Sequence, residues 1–414
     1  MKKFVIHPDI RSYSDSPGYK FSVQNHMVAC YGERECPSTH LFLPFTDDCD
    51  CYVYPIPLAV SSAKSKLKYT SNDVILIDDH VIQSVKQNKT VLLFDCSSEF
   101  TDFVSVRTDQ KCKDFLDSLD LCDYTYDIIW NTVRRYGLNK TNFVVTHANP
   151  VVDWNHIFPS CYLNIFDHGY DTNYAPVAEH IILERQRILN KEIRPKKVLS
   201  LVNKVRPSRI FITYEAWKDD LVKDNLMTIG VPNNRWNNIS YLDKDFLSSL
   251  PWILGDTEAY TPSINRNWKP YSKALIPCYR DTYVNYVHES FDDLHGFGEK
   301  FGNVIFASEK IFFNMFLLKP FIVQGYPGTL KHLHDLGYKT FDKWWDESYD
   351  YSSGMERIIK TYQIFKMLSN MTHEELADML YDMLPVLEHN LENYNYRKNN
   401  GVYVKKLHDI LQTL

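Results

Sequence analysis

Short apolar runs, each closed by polar or charged residues, recur along the first half of the chain. The run at 74–77 (VILI) ends at Asp78, Asp79 and His80. The run at 91–94 (VLLF) ends at Asp95, Cys96, Ser97, Ser98 and Glu99, and 143–145 ends at Thr146, His147, Ala148 and Asn149. Runs of this length bounded by polar residues predict buried strands. Between the last two, Leu116, Leu119, Ile128, Ile129 and Val133 keep a spacing near 3.6. This predicts a helix over 111–135 that stops at Gly137. Strands that end in Asp, Glu, His or Asn and alternate with helices predict a parallel sheet.

The same grammar restarts after a polar, basic stretch at 190–197 (NKEIRPKK), which reads as a linker because Pro195 interrupts it. A strand at 198–202 (VLSLV) leads to Asn203, Lys204, Arg206 and Arg209, and then to a helix from Ile210 to about Lys218. Another strand, near 283–287, precedes His288, Glu289 and Ser290. Ser308 is a good helix N-cap, and Glu309 just after it complements the positive end of a helix. That helix must end near Lys319, because Pro320 disfavours helical backbone in the residue before it. A strand at 321–323 and a turn built on Gly325, Pro327 and Gly328 follow. The next helix is expected to start at about Thr329, and from about Gly354 onward the chain reads as helical.

Size and composition narrow the class. A chain of 414 residues exceeds one ordinary core, so two domains are expected. Hydrophobic residues at 44% and charged residues at 24% are ordinary for a globular protein, and 28 Tyr with 23 Phe are expected mostly in the core. A formal charge of −6 argues against binding nucleic acid through a broad basic surface, though not against a local basic groove. The nine cysteines are odd in number and scattered, with no CxxC pair, which reads as reduced thiols rather than a zinc site. The N-terminus lacks the apolar run of a signal peptide, and no window has the length and apolarity of a membrane span. A cytoplasmic protein is expected, of a cell or of an infected host.

Several residues stand where chemistry could occur. Guanidinium groups pair with phosphate oxygens in a fork, so Arg206 and Arg209, with Asn203 and Lys204, form a candidate diphosphate loop at a helix start. The plain alternative is a solvated basic loop. Glu309 could accept hydrogen bonds from ribose hydroxyls and Lys310 could neutralise a phosphate; the alternative is an ordinary helix start with favourable charge. His80, Glu99, His147, His288 and Glu289 each follow an expected strand and are candidates for a general base, with Glu99 and His147 favoured. Gly296, Gly298 and Gly302 do not match a dinucleotide fingerprint. Residues 344–347 (WWDE) read as packing and capping. No Asp-x-Asp stands in a metal-binding context, so no metal and no cofactor is expected.

The stretch VIFASEKIFFNMFLLKPFIVQGYPGTLKHLHDLGYKTFDKWWDESYD (304–350) resembles the C-terminal half of glycosyltransferase-like proteins of tailed phages, giant viruses and some bacteria, which are similar to the fucosyltransferase type. The matching elements are Ser308-Glu309-Lys310, Lys319-Pro320-Phe321, Gly325 to Gly328, Gly337 to Phe341 and Asp346 to Asp350. VLSLVNKVRPSRI (198–210) and the strand ending at His288, Glu289 and Ser290 are also similar to that family. Ser308 and His288 replace threonines of its pattern, and Lys204 and Val205 replace an arginine-rich pair. The resemblance covers roughly residues 197–390.

The resemblance implies the GT-B architecture, an α/β fold of two Rossmann-like domains facing a cleft. Residues 1–193 would form the acceptor side, 194–390 the nucleotide-sugar domain and 391–414 a C-terminal helix. It implies a metal-independent transferase in which Glu309 and Lys310 hold the ribose and phosphates and Arg206 and Arg209 hold the diphosphate. Asn203, Lys204, Glu289 and Ser308 complete the donor site. The donor would be a nucleotide sugar, UDP-linked or other. The acceptor could be a hydroxymethylated cytosine of phage DNA flipped from the duplex, or a glycan or lipid-linked saccharide. A catalytically inactive nucleotide-sugar-binding module and a nucleotide-sugar epimerase are the rivals of other classes.

Overall fold

The computed structural model describes residues 4–6, 42–43, 49–57, 74–96, 125–147, 159–162, 175–202, 206–230, 242–252, 276–289, 305, 307–400 and 402–414. The chain divides into two compact units, Met1–Tyr170 with Lys300–Val304 and Tyr396–Leu414, and Asp171–Glu299 with Ile305–Asn395.

The first unit holds a six-stranded sheet of β1 (Phe4–Ile6), β2 (Phe42–Leu43), β3 (Cys51–Pro57), β4 (Thr90–Cys96), β5 (Phe143–His147) and β6 (Ser160–Tyr162), in the order β2-β1-β3-β4-β5-β6. All its pairings are parallel, for example Phe94 opposite Val145. The helices α1 (Asp79–Lys86) and α2 (Thr125–Tyr136) belong to this unit. Gly137 stops α2 with a φ of +62°, a conformation that suits glycine. Residues of the expected helix before 125 lie outside the described residues. The run at 74–77, expected as a strand, is not one of the strands of this sheet. Val74, Ile75 and Ile77 are buried, but α2 takes up their backbone: Thr132 Oγ1 accepts from Ile75 N at 3.0 Å and Tyr136 Oη from Ile77 N at 3.0 Å. With these N–H groups satisfied by side chains, the segment makes a β-bridge at Ile75 but does not extend it into a strand.

The second unit is built on β7 (Val198–Leu201), β8 (Leu226–Thr228), β9 (Val284–His288) and β10 (Phe321–Gln324), all parallel, in the order β10-β9-β7-β8. Its helices are α3 (Ala175–Leu189), α4 (Pro207–Lys218), α5 (Lys244–Ser248), α6 (Glu309–Phe316), α7 (Thr329–Asp335), α8 (Gly354–Asn370) and most of α9 (His373–Asn399). Strand β7 is followed by a neighbour on one side (β8) and then by one on the other (β9). Right-handed crossovers in opposite directions put helices on both faces. Alternation along β9 shows it. Asn285 donates to Asn314 Oδ1 of α6 at 2.9 Å, while the next residue, Tyr286, donates to Thr361 Oγ1 of α8 at 2.7 Å. Covered on both sides, β9 and β10 are buried along their whole length.

The start of α6 follows the local reading: the Ser308 side chain accepts from Lys310 N. The chain leaves that helix through Leu318 at a φ of +53° and enters β10 after Pro320. Gly328 adopts a φ of +81° and α7 begins at Thr329, as expected.

The polar stretch at 190–197 is not a free linker. Arg194 is 1% exposed and donates to the carbonyls of Arg280 and Thr282, both at 2.9 Å. The division falls at Tyr170 rather than at the expected 193/194, and α3 belongs to the second unit. An ion cluster is one tie that joins α3 to the second unit. Glu184 of α3 is buried between Arg194 (2.8 Å) and Lys319 (3.2 Å). The helix expected over 391–414 is split, α9 ending at Asn399 and α10 (Val402–Thr413) beginning after Gly401.

Candidate functional site

The strand order locates a natural ligand position in the second unit. In open parallel sheets, ligands bind outside the carboxyl ends of the strands where the winding direction reverses. Here that point lies between the carboxyl ends of β7 and β9. The segment after β7 carries Arg206 and Arg209, and the residue after β9 is Glu289.

Glu289 is 2% exposed, and its backbone extends the sheet, with its N–H donating to Gln324 O at 2.9 Å. Its carboxylate turns toward the start of α6. Oε1 accepts from Ser308 N at 3.0 Å and from Ser308 Oγ at 2.8 Å, and Oε2 stands 2.6 Å from the same hydroxyl. Lys310 Nζ lies 3.8 Å from Oε2 and donates to Ser308 Oγ at 3.2 Å. Lys310 N also donates to that oxygen, at 3.3 Å. A hydroxyl has one proton and two acceptor sites. The assignment is therefore consistent: Ser308 gives its proton to Glu289 and accepts from Lys310. Around the loop, Arg209 is buried and its Nη2 donates to the Glu289 carbonyl at 2.6 Å. Gly325, after β10, lets this happen. A Cβ there would lie 3.3 Å from Glu289 Cβ, from Glu289 Cγ and from Val323 Cγ1.

Three helices start at this edge, and their ends differ. The start of α7 is closed by Asp350, whose Oδ1 and Oδ2 accept from Leu330 N and Lys331 N, each at 3.1 Å. The start of α6 is capped by Ser308. At α4 the N-cap is Arg206, with extended backbone, no side-chain cap bond and Pro207 in the first turn. At the start of α7 the exposed cation is Lys331, paired with Asp335 at 2.8 Å; at α4 and α6 the described side chains that combine cationic charge with exposure are the partly exposed Arg206 and Lys310, at 36%. Arrayed beside two helix starts, they can hold anionic oxygens.

The residues expected as donor-binding or as the general base fall into three groups. Arg209, Glu289, Ser308 and Lys310 come together in one hydrogen-bonded network, with Arg206 on the same segment as Arg209. Glu99, Asn203 and Lys204 lie outside the described residues, and of Glu309 only the backbone, which opens α6, is described. His147 is the last residue of β5 in the first unit; it is 4% exposed and its ring lies 6.2 Å from that of Tyr162. Of the other histidines weighed, His80 is exposed in the first turn of α1, and His288 is buried with Nε2 2.9 Å from Ser200 Oγ.

Sequence reasoning missed another buried charge group of this unit. Glu184, Arg194 and Lys319 are 1%, 1% and 0% exposed, and Lys319 Nζ also donates to Thr282 O at 2.5 Å. Arg194, Thr282 and Lys319 lie ahead of β7, β9 and β10, so this cluster occupies the amino edge of the sheet, opposite the candidate site. Burial works to raise the Glu184 carboxyl, but Lys319 and Arg194 outweigh it and hold it below the usual carboxylate value. Burial, with help from Arg194, lowers Lys319 to about 7 against the pull of Glu184. Arg187 Nη1 also lies 3.8 Å from Glu184 Oε2, so cations outnumber the anion here, and burial bears on the Lys319 ammonium most of all.

Residues 344–347 do pack and cap. Trp345 is buried, and Glu347 accepts from Phe341 N at 2.8 Å and from Thr340 Oγ1 at 2.5 Å. Burial raises the Glu347 carboxyl to about 7 despite those donors.

No protein-family model matches the chain, and a search of curated proteins finds no match. Among the described residues no helix is long and apolar enough to cross a membrane.

Proposed function

We propose that this protein is a glycosyltransferase that binds a nucleotide-sugar donor at the carboxyl edge of the second sheet. The observation that carries the reading is the convergence of Arg209, Glu289, Ser308 and Lys310 beside the β7/β9 reversal, from segments distant in sequence. Lys310 and Arg206 would neutralise the departing diphosphate, helped by the starts of α4 and α6. Arg209 would serve the site as a brace rather than by direct contact, since its guanidinium is buried against the backbone of Glu289.

The GT-B arrangement is part of the proposal, with the first unit presenting the acceptor. A base from that unit, Glu99 or His147, would take the acceptor proton. The proposed acceptor is a hydroxymethylated base of DNA; a glycan or a lipid-linked saccharide is the rival acceptor.

Incubation with hydroxymethylcytosine-containing DNA and a panel of UDP- and GDP-sugars is expected to move the sugar onto DNA. Lys310→Met should lower that rate roughly 100-fold, the effect of removing one charge-stabilising donor. Donor hydrolysis without transfer to DNA would redirect the acceptor to a saccharide. Donor binding without any turnover would leave an inactive binding module.

A further inference from the structure

We infer that Glu289 is a positioning residue, whose buried carboxylate holds Lys310 in the pose that receives an anion. The inference rests on the donor-site reading above and deepens it.

A lysine ammonium on a four-carbon stem carries about 2 kcal/mol of rotamer entropy, which a ligand must overcome if the chain is free. Here the ammonium is fixed before any ligand arrives. Ser308 Oγ accepts from Nζ at 3.2 Å and from the Lys310 backbone at 3.3 Å, so one oxygen anchors both ends of the residue. That oxygen can take both donors only if its own proton points away, and Glu289 takes the proton at 2.6–2.8 Å. Glu289 is itself anchored through its backbone: Arg209 donates to its carbonyl and its N–H donates to Gln324 O.

The opposing effect is the carboxylate's negative charge near an arriving phosphate. Ser308 N, Ser308 Oγ and Lys310 Nζ all face that carboxylate, beside the positive end of α6, so its charge is already compensated. Preorganisation of the cation therefore outweighs repulsion.

The test is a double-mutant cycle on Glu289→Gln and Lys310→Met, read by calorimetric titration with inorganic pyrophosphate and with UDP and GDP. Glutamine keeps the size of the side chain and removes its charge. Ser308→Ala breaks the same relay at its middle and serves if Glu289→Gln does not fold, as judged by circular dichroism. Each single variant is expected to weaken binding about tenfold, equivalent to about 1.4 kcal/mol. The double variant should bind no more weakly than Lys310→Met alone. Multiplying losses, or unchanged affinity in both Glu289→Gln and Ser308→Ala, would overturn the positioning role and leave the donor site standing. Failure of the wild-type protein to bind any of the three probes would overturn the donor reading, and this inference with it.

Discussion

The two edges of the second sheet each bury a carboxylate, and they use it in opposite ways. At the amino edge Glu184 is enclosed by Arg194 and Lys319, all with side chains no more than 1% exposed. At the carboxyl edge Glu289 is equally buried, but its cation Lys310 keeps 36% of its side chain exposed. The first arrangement has at its rim only Arg187, 16% exposed and already paired with Glu192 as well as Glu184, and it ties α3, the 190–197 segment and the entrance to β10 into one body. The second holds one cation ready at the place where a parallel sheet receives ligands. Burial of a charge group is thus no sign of function by itself; what matters is whether one member still faces solvent.

Substitutions at the two edges should separate stability from binding. The largest effect is expected from Glu184→Ala, which leaves Arg194 and Lys319 buried without their anion. A loss of roughly 3–5 kcal/mol is expected in denaturant unfolding. Gly325→Ala should come next, destabilising by about 1–3 kcal/mol as the added methyl presses on Glu289 and Val323. It should also weaken pyrophosphate binding, which would tie that glycine to the carboxyl edge. Lys310→Met should change stability least, by under about 1 kcal/mol, because its ion pair is partly exposed, while still weakening pyrophosphate.

The amino edge should also reveal itself through pH. Lys319 falls from an ordinary value of 10.5 to about 7 in the folded chain. Between those values the unfolded chain binds the extra proton, so stability should rise with pH across the window from about 7 to 10.5. Below the window both states are protonated, and the penalty of the buried ammonium is fully present. Comparing Lys319→Met with wild type isolates this contribution: the variant should lose that part of the rise, and an identical pH profile would contradict a depressed lysine.

What could be read from sequence divides along the same lines. The start of α6 at Ser308, the start of α7 at Thr329 and the stop at Gly137 were legible because each is decided by residues within a turn. Arg209, Glu289, Ser308 and Lys310 were legible as candidates because each follows a strand or opens a helix. Their mutual contacts were not, because strand order brings them together. Glu184 reads as one charge among several in a helix, and its partner Lys319 is 135 positions away. Arg194 sits in a stretch whose composition is that of a linker, and only its docking against Glu184 and the carbonyls before β9 makes it core. The run at 74–77 misled because an apolar run has the same pattern whether strands or side chains take up its N–H groups.

The central claim is that the β7/β9 reversal with Lys310 beside it receives the diphosphate of a sugar nucleotide. The most direct measurement is a crystal structure of the protein soaked with UDP- and GDP-sugars. The account predicts diphosphate density within hydrogen-bond distance of Lys310 Nζ and near the start of α4. A sugar nucleotide bound elsewhere on the protein, with Lys310 still paired to Glu289 and untouched, would contradict it.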